Sequence, residues 1–265
     1  MVPPGVPRRT GRARYPVRPG RYRGPVSDAP SRAPATAAKP WHEQIRVGFD
    51  LETTGRDPET ARVVTASLVV VDPHGRLAAA YEWLVDPGVP IPAEAAAVHG
   101  VTTERAQAEG LPADAAIVEI ADTLRDFFDA GIPVIAFNAC YDFTVMDREL
   151  ARRGLEPLQN RWVIDPYVID KQVDRYRRGK RTLTDVCDLY RVPLRDAHTS
   201  AADSLAAVGV ADALARRYPQ LQVPLETLQG QQCAWKAEQA ASFQEYLRRK
   251  DPTAVVNGDW PVARR

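Results

Sequence analysis

Three short stretches of this chain carry carboxylates that could act together. The first is Gly48-Phe49-Asp50-Leu51-Glu52-Thr53-Thr54-Gly55, the second Phe137-Asn138-Ala139-Cys140-Tyr141-Asp142-Phe143, the third Ala197-His198-Thr199-Ser200-Ala201-Ala202-Asp203. In a strand, residues i and i+2 point to the same face, so Asp50 and Glu52 present two carboxylates side by side. Such a pair is costly away from water unless a cation neutralises it. Taken singly, each residue also has an ordinary structural reading. One acid of the first pair could lie at the surface while the other caps the Thr-Thr-Gly turn. Asp142 could simply favour a helix N-terminus, and His198 could be a helix-entry residue. Taken together, four acids and one imidazole at strand ends and helix starts form the oxygen-rich cluster that hard divalent cations require. Cations held near an imidazole base are what phosphoryl chemistry uses.

The elements that must position these groups are legible from periodicity. Residues 45–49 read as a short buried strand feeding the first acidic stretch, and residues 62–71, rich in β-branched side chains, as a second. Asp72-Pro73-His74-Gly75 is a turn signal, and residues 77–85 return as a third strand, completing an antiparallel meander. Short helical segments follow over 92–98 and, with Ile117, Ile120, Ala121, Leu124, Phe127 and Phe128 at helical spacing, over 112–128. A fourth strand is expected at 133–137, a helix from 141 to 153 ending at Gly154, a fifth strand at 162–165, and helices at 182–190 and 201–218. A mixed sheet with helices on its faces belongs to the α/β class. Residues 225–250 could form a further helix with Leu228, Trp235, Phe243, Tyr246 and Leu247 roughly on one side. It is expected to pack on the domain rather than to drive oligomerisation, with Gly230 counting against the helix.

Composition bounds the rest. The chain has 265 residues, 45% hydrophobic and 26% charged, ordinary for a soluble globular protein. It lacks the uninterrupted apolar run of a membrane span and the apolar segment of a signal peptide. Three cysteines, Cys140, Cys187 and Cys233, have neither zinc-site nor disulfide-framework spacing and suit reduced thiols in the cytoplasm. The net charge of +1 conceals an asymmetry. Residues 1–40 carry eight Arg and one Lys against one Asp, so the tail is near +8 and the body near −7. Nine prolines and four glycines in residues 1–42 leave too little apolar surface to offset chain entropy, so this segment is expected to be disordered. Its arginines between 8 and 23 suit non-specific contact with nucleic acid phosphates, or simply solvation. The prolines disfavour an amphipathic transit peptide.

The combined motifs resemble the DEDDh exonucleases, the family containing the proofreading ε-subunit of bacterial DNA polymerase III, ribonuclease T and oligoribonuclease. Asp50-x-Glu52, Asn138-x-x-x-Asp142 and His198-x-x-x-x-Asp203 match its three motifs. Val98-His99-Gly100-Val101-Thr102, Val163-Ile164-Asp165 and Arg181-Thr182-Leu183-Thr184-Asp185-Val186-Cys187 agree further, within a similarity spanning residues 46–217. Tyr141 stands where Phe is usual and Ser200 where Ala is common; neither change removes a ligand.

The resemblance implies a ribonuclease H-like fold with a five-stranded mixed sheet. Composition sets a tail (1–42) and a C-terminal helical extension (219–265) apart from the exonuclease domain (43–218), and the family pattern covers neither end. The resemblance also implies 3′→5′ removal of nucleoside 5′-monophosphates from a nucleic acid end, with a single-stranded DNA 3′ end as the first reading of the partner, although sequence does not decide between DNA and RNA. Two Mg²⁺ or Mn²⁺ ions are implied per active site, about 3.5–4 Å apart. Asp50, Glu52 and Asp203 would hold one, and Asp50 would bridge to a second held with Asp142. His198 would be the general base. Leu51, Thr53 and Thr54 would line the pocket for the terminal nucleotide. His99 would lie near it, or would only tie down its loop. Asn138 is expected to fix the turn that aims Asp142, and Asp165 to be structural. The competing readings are an exoribonuclease or oligoribonuclease, and a non-catalytic nucleic-acid-binding module, which intact motifs disfavour. No polymerase-docking peptide is recognisable in residues 225–265. The oligomeric state is not legible.

Overall fold

The computed structural model describes residues 40–159, 162–194 and 198–264. The basic tail, residues 1–39, lies outside them. Along the chain run β1 (Arg46–Thr53), β2 (Val63–Val71), β3 (Leu77–Asp86), α1 (Ala93–His99), α2 (Thr103–Glu109), β4 (Leu111–Pro112) and α3 (Ala113–Asp129). Then come β5 (Val134–Ile135), α4 (Cys140–Arg152), β6 (Val163–Ile164), α5 (Pro166–Val173), α6 (Leu183–Tyr190), α7 (Ser200–Arg217) and α8 (Leu225–Arg248). The strands form one mixed sheet in the order β4-β3-β2-β1-β5-β6. β1, β2 and β3 are the expected antiparallel meander, whereas β5 is parallel to β1, and β6 to β5. The sixth strand, beyond the five expected, is the two-residue β4, which pairs with the end of β3.

Alternation along β1 decides which face carries what. Val47, Phe49 and Leu51 are buried in one core with residues of α3 and α4, including Ile117, Ile120, Leu124, Phe143 and Met146. Gly48, Asp50 and Glu52 therefore face the other side, where α7 crosses β1 and β2. The crossing is close enough to need Gly48: a Cβ there would sit 2.3 Å from the Ser204 carbonyl oxygen of α7. Three polar anchors hold α7 in this position. Arg46 Nε donates to Asp212 Oδ1 at 2.7 Å, and its Nη2 donates to the other carboxylate oxygen. Ser200 Oγ meets Ser67 Oγ at 2.7 Å and Thr65 Oγ1 at 3.2 Å. Ser204 Oγ donates to the Ser67 carbonyl at 3.3 Å.

The second core contains Ile135, Ile164, Ile169, Val186 and the inner side of α7, and it also takes in Trp41. Trp41 is 3% exposed, sits in a 3-10 turn (Trp41–Glu43) and donates to the Leu221 carbonyl. The body thus begins before the 1–42 boundary assigned to the tail.

Helix α8 runs through Gly230 and packs on α5 and β6. Its apolar side differs from the expected one. Leu228 and Ala240 are buried, whereas Phe243 and Tyr246 are 51% and 56% exposed and stack on each other. Helix α8 also closes the outer edge of β6. The Val163 amide donates to Gln229 Oε1 (3.1 Å), the Asp165 amide to Gln232 Oε1 (2.7 Å), and Gln232 Nε2 donates to the Val163 carbonyl (3.0 Å). Every main-chain group on that side of the strand is satisfied by a side-chain amide. The chain then returns to α4. The Asp259 carbonyl lies 3.5 Å from Cys140 Sγ, the Ala263 amide donates to Thr144 Oγ1, and Arg148 donates to the Ala263 carbonyl. Cys140, Thr144 and Arg148 recur every four residues, so this segment runs along one face of α4. Among the described residues no helix is long and apolar enough to cross a membrane.

Candidate active site

The sheet and α7 bring three of the predicted acids together. Asp50 and Glu52 project from the same face of β1, and Asp203 lies in the first turn of α7, next to Ser204, whose close crossing of Gly48 sets its height. One carboxylate oxygen from each lies within 4.8 Å of the others. Such spacing suits three ligands on one hard cation.

Asp142 reaches the same neighbourhood from the other side of β1. Strand β5 pairs with β1 at Val47 and Gly48 and then turns away into α4. The next β1 donor on that side, the Leu51 amide, is taken by Asp142 Oδ1 at 3.1 Å. Asn138, in the left-handed region at φ 62°, makes the turn that swings α4 into place. Asp165 fixes that turn by accepting from the Asn138 and Ala139 amides at 2.9 and 3.0 Å. It also caps α5 through Tyr167 and accepts from Trp260 Nε1 at 3.2 Å. The sequence assigned Asp165 to structure, and its contacts are structural.

The four acids repel one another. Burial, then Asp142, Asp203 and Glu52 raise the Asp50 carboxyl well above the usual range. Glu52 is pushed up to about 7 by burial and Asp203. Burial raises Asp142 despite the amides it accepts, and raises Asp203 despite the His198 amide and the nearby imidazole. No arginine or lysine forms an ion pair with any of them among the described residues. The donor set fits a divalent cation, whose charge would offset this repulsion.

His198 is exposed and left-handed at φ 69°, and its amide donates to Asp203 Oδ2 at 3.2 Å. The loop before it, residues 195–197, lies outside the described residues. A non-glycine residue held in that backbone region is a feature the surroundings must enforce. The contact seen at this residue is with an acid of the cluster.

A pocket of about 670 Å³ opens beside the acids. It is lined by Leu51, Glu52 and Thr53 of β1, by Thr54, Gly55 and Arg56 directly after it, by Glu94, Ala95, Val98 and His99 of α1, and by Tyr141 of α4. Glu52 thus belongs to both the pocket and the acidic cluster. His99 Nδ1 accepts from the Val101 amide at 3.2 Å, and burial lowers its pKa while the Thr53 backbone partly offsets this. His99 therefore ties down its loop and lines the pocket as well. The nine predicted residues lie around the C-terminal end of β1, the acids and His198 on the α7 and α4 sides and the others lining the pocket.

Sequence reasoning passed over Glu94, Ala95 and Tyr141 as pocket residues. The hydroxyl of Tyr141 meets Thr53 Oγ1 and donates to the Gly55 carbonyl, pinning the end of β1 to α4. The two residues that depart from the family pattern, Tyr141 and Ser200, both add hydroxyl anchors at this edge. That signal was visible in the sequence, as a changed residue beside a motif.

Residues 47–211 match the family model RNase_T, described as Exonuclease. The chain belongs to this exonuclease family, within the DEDDh superfamily. It is 34% identical over 118 residues to a DNA polymerase III subunit epsilon-like protein of Rhodobacter capsulatus, covering 43% of this chain and 16% of that protein. It is 33% identical over 127 residues to the uncharacterized exonuclease CP81 of Escherichia phage 186, covering 45% of this chain and 56% of that one. Among solved structures, it resembles E. coli Exonuclease I in complex with a dA16 oligonucleotide, with TM-score 0.57, 17% identity, and coverage of 67% of this chain and 42% of the other. Exonuclease I from Methylocaldum szegediense gives TM-score 0.55 and 20% identity over the same shares. These neighbours show the ribonuclease H-like fold. The chain spans a little over half, or less, of each of these relatives.

Proposed function

We propose that this protein is a metal-dependent 3′→5′ exonuclease that releases nucleoside 5′-monophosphates from single-stranded nucleic acid, with DNA as the preferred substrate. One observation carries the reading: Glu52 is at once a member of the acidic cluster and a wall of a nucleotide-sized pocket. A phosphodiester whose terminal nucleoside fills that pocket has its phosphorus beside the acids. The preference for DNA is supported by the names of the relatives, an epsilon-like DNA polymerase III subunit and an Exonuclease I bound to dA16.

Asp50, Glu52 and Asp203 would hold one Mg²⁺ or Mn²⁺, and Asp50 with Asp142 a second. When bound, these ions supply positive charge for the phosphoryl oxygens and favour ionisation of water. The protein's own groups do the rest. Leu51, Thr53, Thr54 and His99 seat the terminal nucleoside, with Tyr141 holding Thr53. His198 accepts the proton of the attacking water. The water oxygen bonds to phosphorus, the bond to the 3′-oxygen of the preceding nucleotide breaks, and that oxygen is protonated. The products are a nucleoside 5′-monophosphate and a strand one residue shorter.

Incubation of 5′-labelled and 3′-labelled single-stranded DNA, duplex DNA and RNA with Mg²⁺, Mn²⁺ or EDTA tests the reading. The expected result is a ladder from the 5′ label and immediate mononucleotide from the 3′ label, fastest with DNA and abolished by EDTA. Mononucleotide released first from the 5′ label, or turnover in EDTA, overturns it. Faster cleavage of RNA overturns the sugar preference. Replacement His198→Asn should slow turnover by about 10²–10⁴-fold with KM little changed.

A further inference from the structure

Away from the acids, residues 171–181 hold six cations and one acid, on a body whose overall charge is negative. This segment is the end of α5 and the turn that follows it, and a buried acid organises it. Asp170, fully buried, accepts from Tyr190 (2.9 Å), Arg177 and Arg181 (2.5 Å each), and Arg181 also donates to the Asp170 and Asp174 carbonyls. With Arg177 and Arg181 turned inward, the rest of the turn faces out. Tyr176 is 89% exposed, the most exposed aromatic residue among the described ones. Arg178 and Lys180 are exposed and make no ion pair among the described residues.

This surface connects to the catalytic edge. The ring of Phe137, adjoining Asn138, packs against Tyr167 with centroids 5.6 Å apart, and Lys171 Nζ stands 5.0 Å over the Tyr167 ring. Lys171 is lowered by burial and then by Lys236 and Arg181, so three cations share one field there. Helix α5, at about 1.5 Å per residue, carries this line roughly 12 Å outward before the turn begins.

Alternating aromatic faces and unpaired cations are the two components from which sequence-tolerant single-strand sites are built. An acidic protein partner would use the cations but has no need of aromatic faces at both ends. We propose that Phe137, Tyr167, Lys171, Tyr176, Arg178 and Lys180 form a track for the single strand upstream of the terminal nucleotide. The cations would hold its phosphates and the rings would stack its bases. The inference rests on the exonuclease reading for the strand's polarity, but not for its binding.

The test compares the wild type with the triple variant Tyr176→Ala/Arg178→Ala/Lys180→Ala and with Tyr176→Ala alone. These exposed side chains hold no element of the fold, and equal melting temperatures check that. Binding of a labelled 15-nucleotide single-stranded DNA is followed by anisotropy in EDTA from 25 to 200 mM salt, over which the Debye length falls from about 20 to about 7 Å. Hydrolysis of the 15-mer and of a dinucleotide is followed in Mg²⁺. The triple variant should bind the 15-mer at least about tenfold more weakly at low salt. Its salt slope should fall by about 1.4, at roughly 0.7 per lost phosphate contact. Its KM for the 15-mer should rise relative to that for the dinucleotide, with kcat retained. An unchanged Kd and salt slope, or equal KM shifts for both substrates, overturns the track. No weakening with Tyr176→Ala alone overturns the stacking half. A wild type that binds with the expected slope yet cleaves nothing refutes the exonuclease reading and leaves the track standing.

Discussion

The molecule holds two kinds of acid, one fully buried and one mostly half-buried at the site. Asp212, Glu149 and Asp170 are each met by arginine: Asp212 by Arg46, Glu149 by Arg62 and Arg153, and Asp170 by Arg177 and Arg181. Asp50, Glu52, Asp142 and Asp203 instead face one another, and their carboxyls are raised. The first group joins elements: α7 to β1, α4 to β2, and the 174–182 turn to α5. The second contributes the Asp142–Leu51 and Asp203–His198 amide contacts and otherwise burdens the fold with charge it could shed by substitution. Acids that hold a structure together come with their donors, arginine for Asp212, Glu149 and Asp170 and amides with Trp260 for Asp165, whereas the acids of the cluster chiefly face one another.

That contrast can be broken by substitution, beginning with the largest effect. Asp170→Ala leaves two guanidiniums without their partner and should destabilise the protein by about 3–5 kcal/mol, read by urea unfolding. A smaller loss than from Asp50→Asn would erase the distinction between the two groups. Asp50→Asn or Asp203→Asn should lower kcat by at least the roughly 10²–10³-fold that loss of one electrostatic stabiliser costs. Either should leave the melting temperature in EDTA equal or higher, because a repulsion is relieved, and should abolish any rise in that temperature on adding Mg²⁺. Gly48→Ala places a Cβ against the Ser204 carbonyl, which is backbone and cannot swing aside. It should destabilise by about 1–3 kcal/mol and also lower kcat, because Asp203 rides on the displaced helix; unfolding and turnover assays read the two effects.

The smallest effect is on pH. Glu52 lies at about 7 in the fold against an ordinary 4.5. A carboxyl raised on folding binds its proton more tightly in the native state, so its contribution is present below about pH 4.5 and is lost as pH rises through 7. In EDTA, stability should therefore decline from pH 5 to pH 8 relative to Asp50→Asn/Glu52→Gln, and Mg²⁺ should flatten the decline. A parallel trend in that variant would assign the effect to other groups.

The acids were legible because chemistry fixes their types and strand geometry fixes their spacing. Asp50-Leu51-Glu52 needed only the two-residue repeat of β1, and α3 only its six apolar positions. Helix α2 was missed because Ala106 is its sole buried residue, leaving no apolar stripe. Helix α5 was missed although Asp165-Pro166 is a sound N-cap and first-turn signal. Its eight residues directly follow a strand, and the acid was read as the strand's end. The return of residues 259–263 onto α4 had no periodic pattern to announce it. The burial of Trp260 depends on long-range contacts that local sequence does not encode. Phe243 and Tyr246 were placed on an apolar side of α8 because hydrophobic type alone cannot tell a buried face from an exposed stacked pair.

The amides of Gln229 and Gln232 have a consequence for how this protein could fail. A lateral strand normally offers a ladder to any passing extended chain, but here a helix occupies the rungs one by one. Loss of α8, by proteolysis or truncation near Pro224, would strip away more than greasy surface. It would turn β6 into a template for edge-to-edge polymerisation, so such a fragment is expected to precipitate rather than survive as a smaller nuclease.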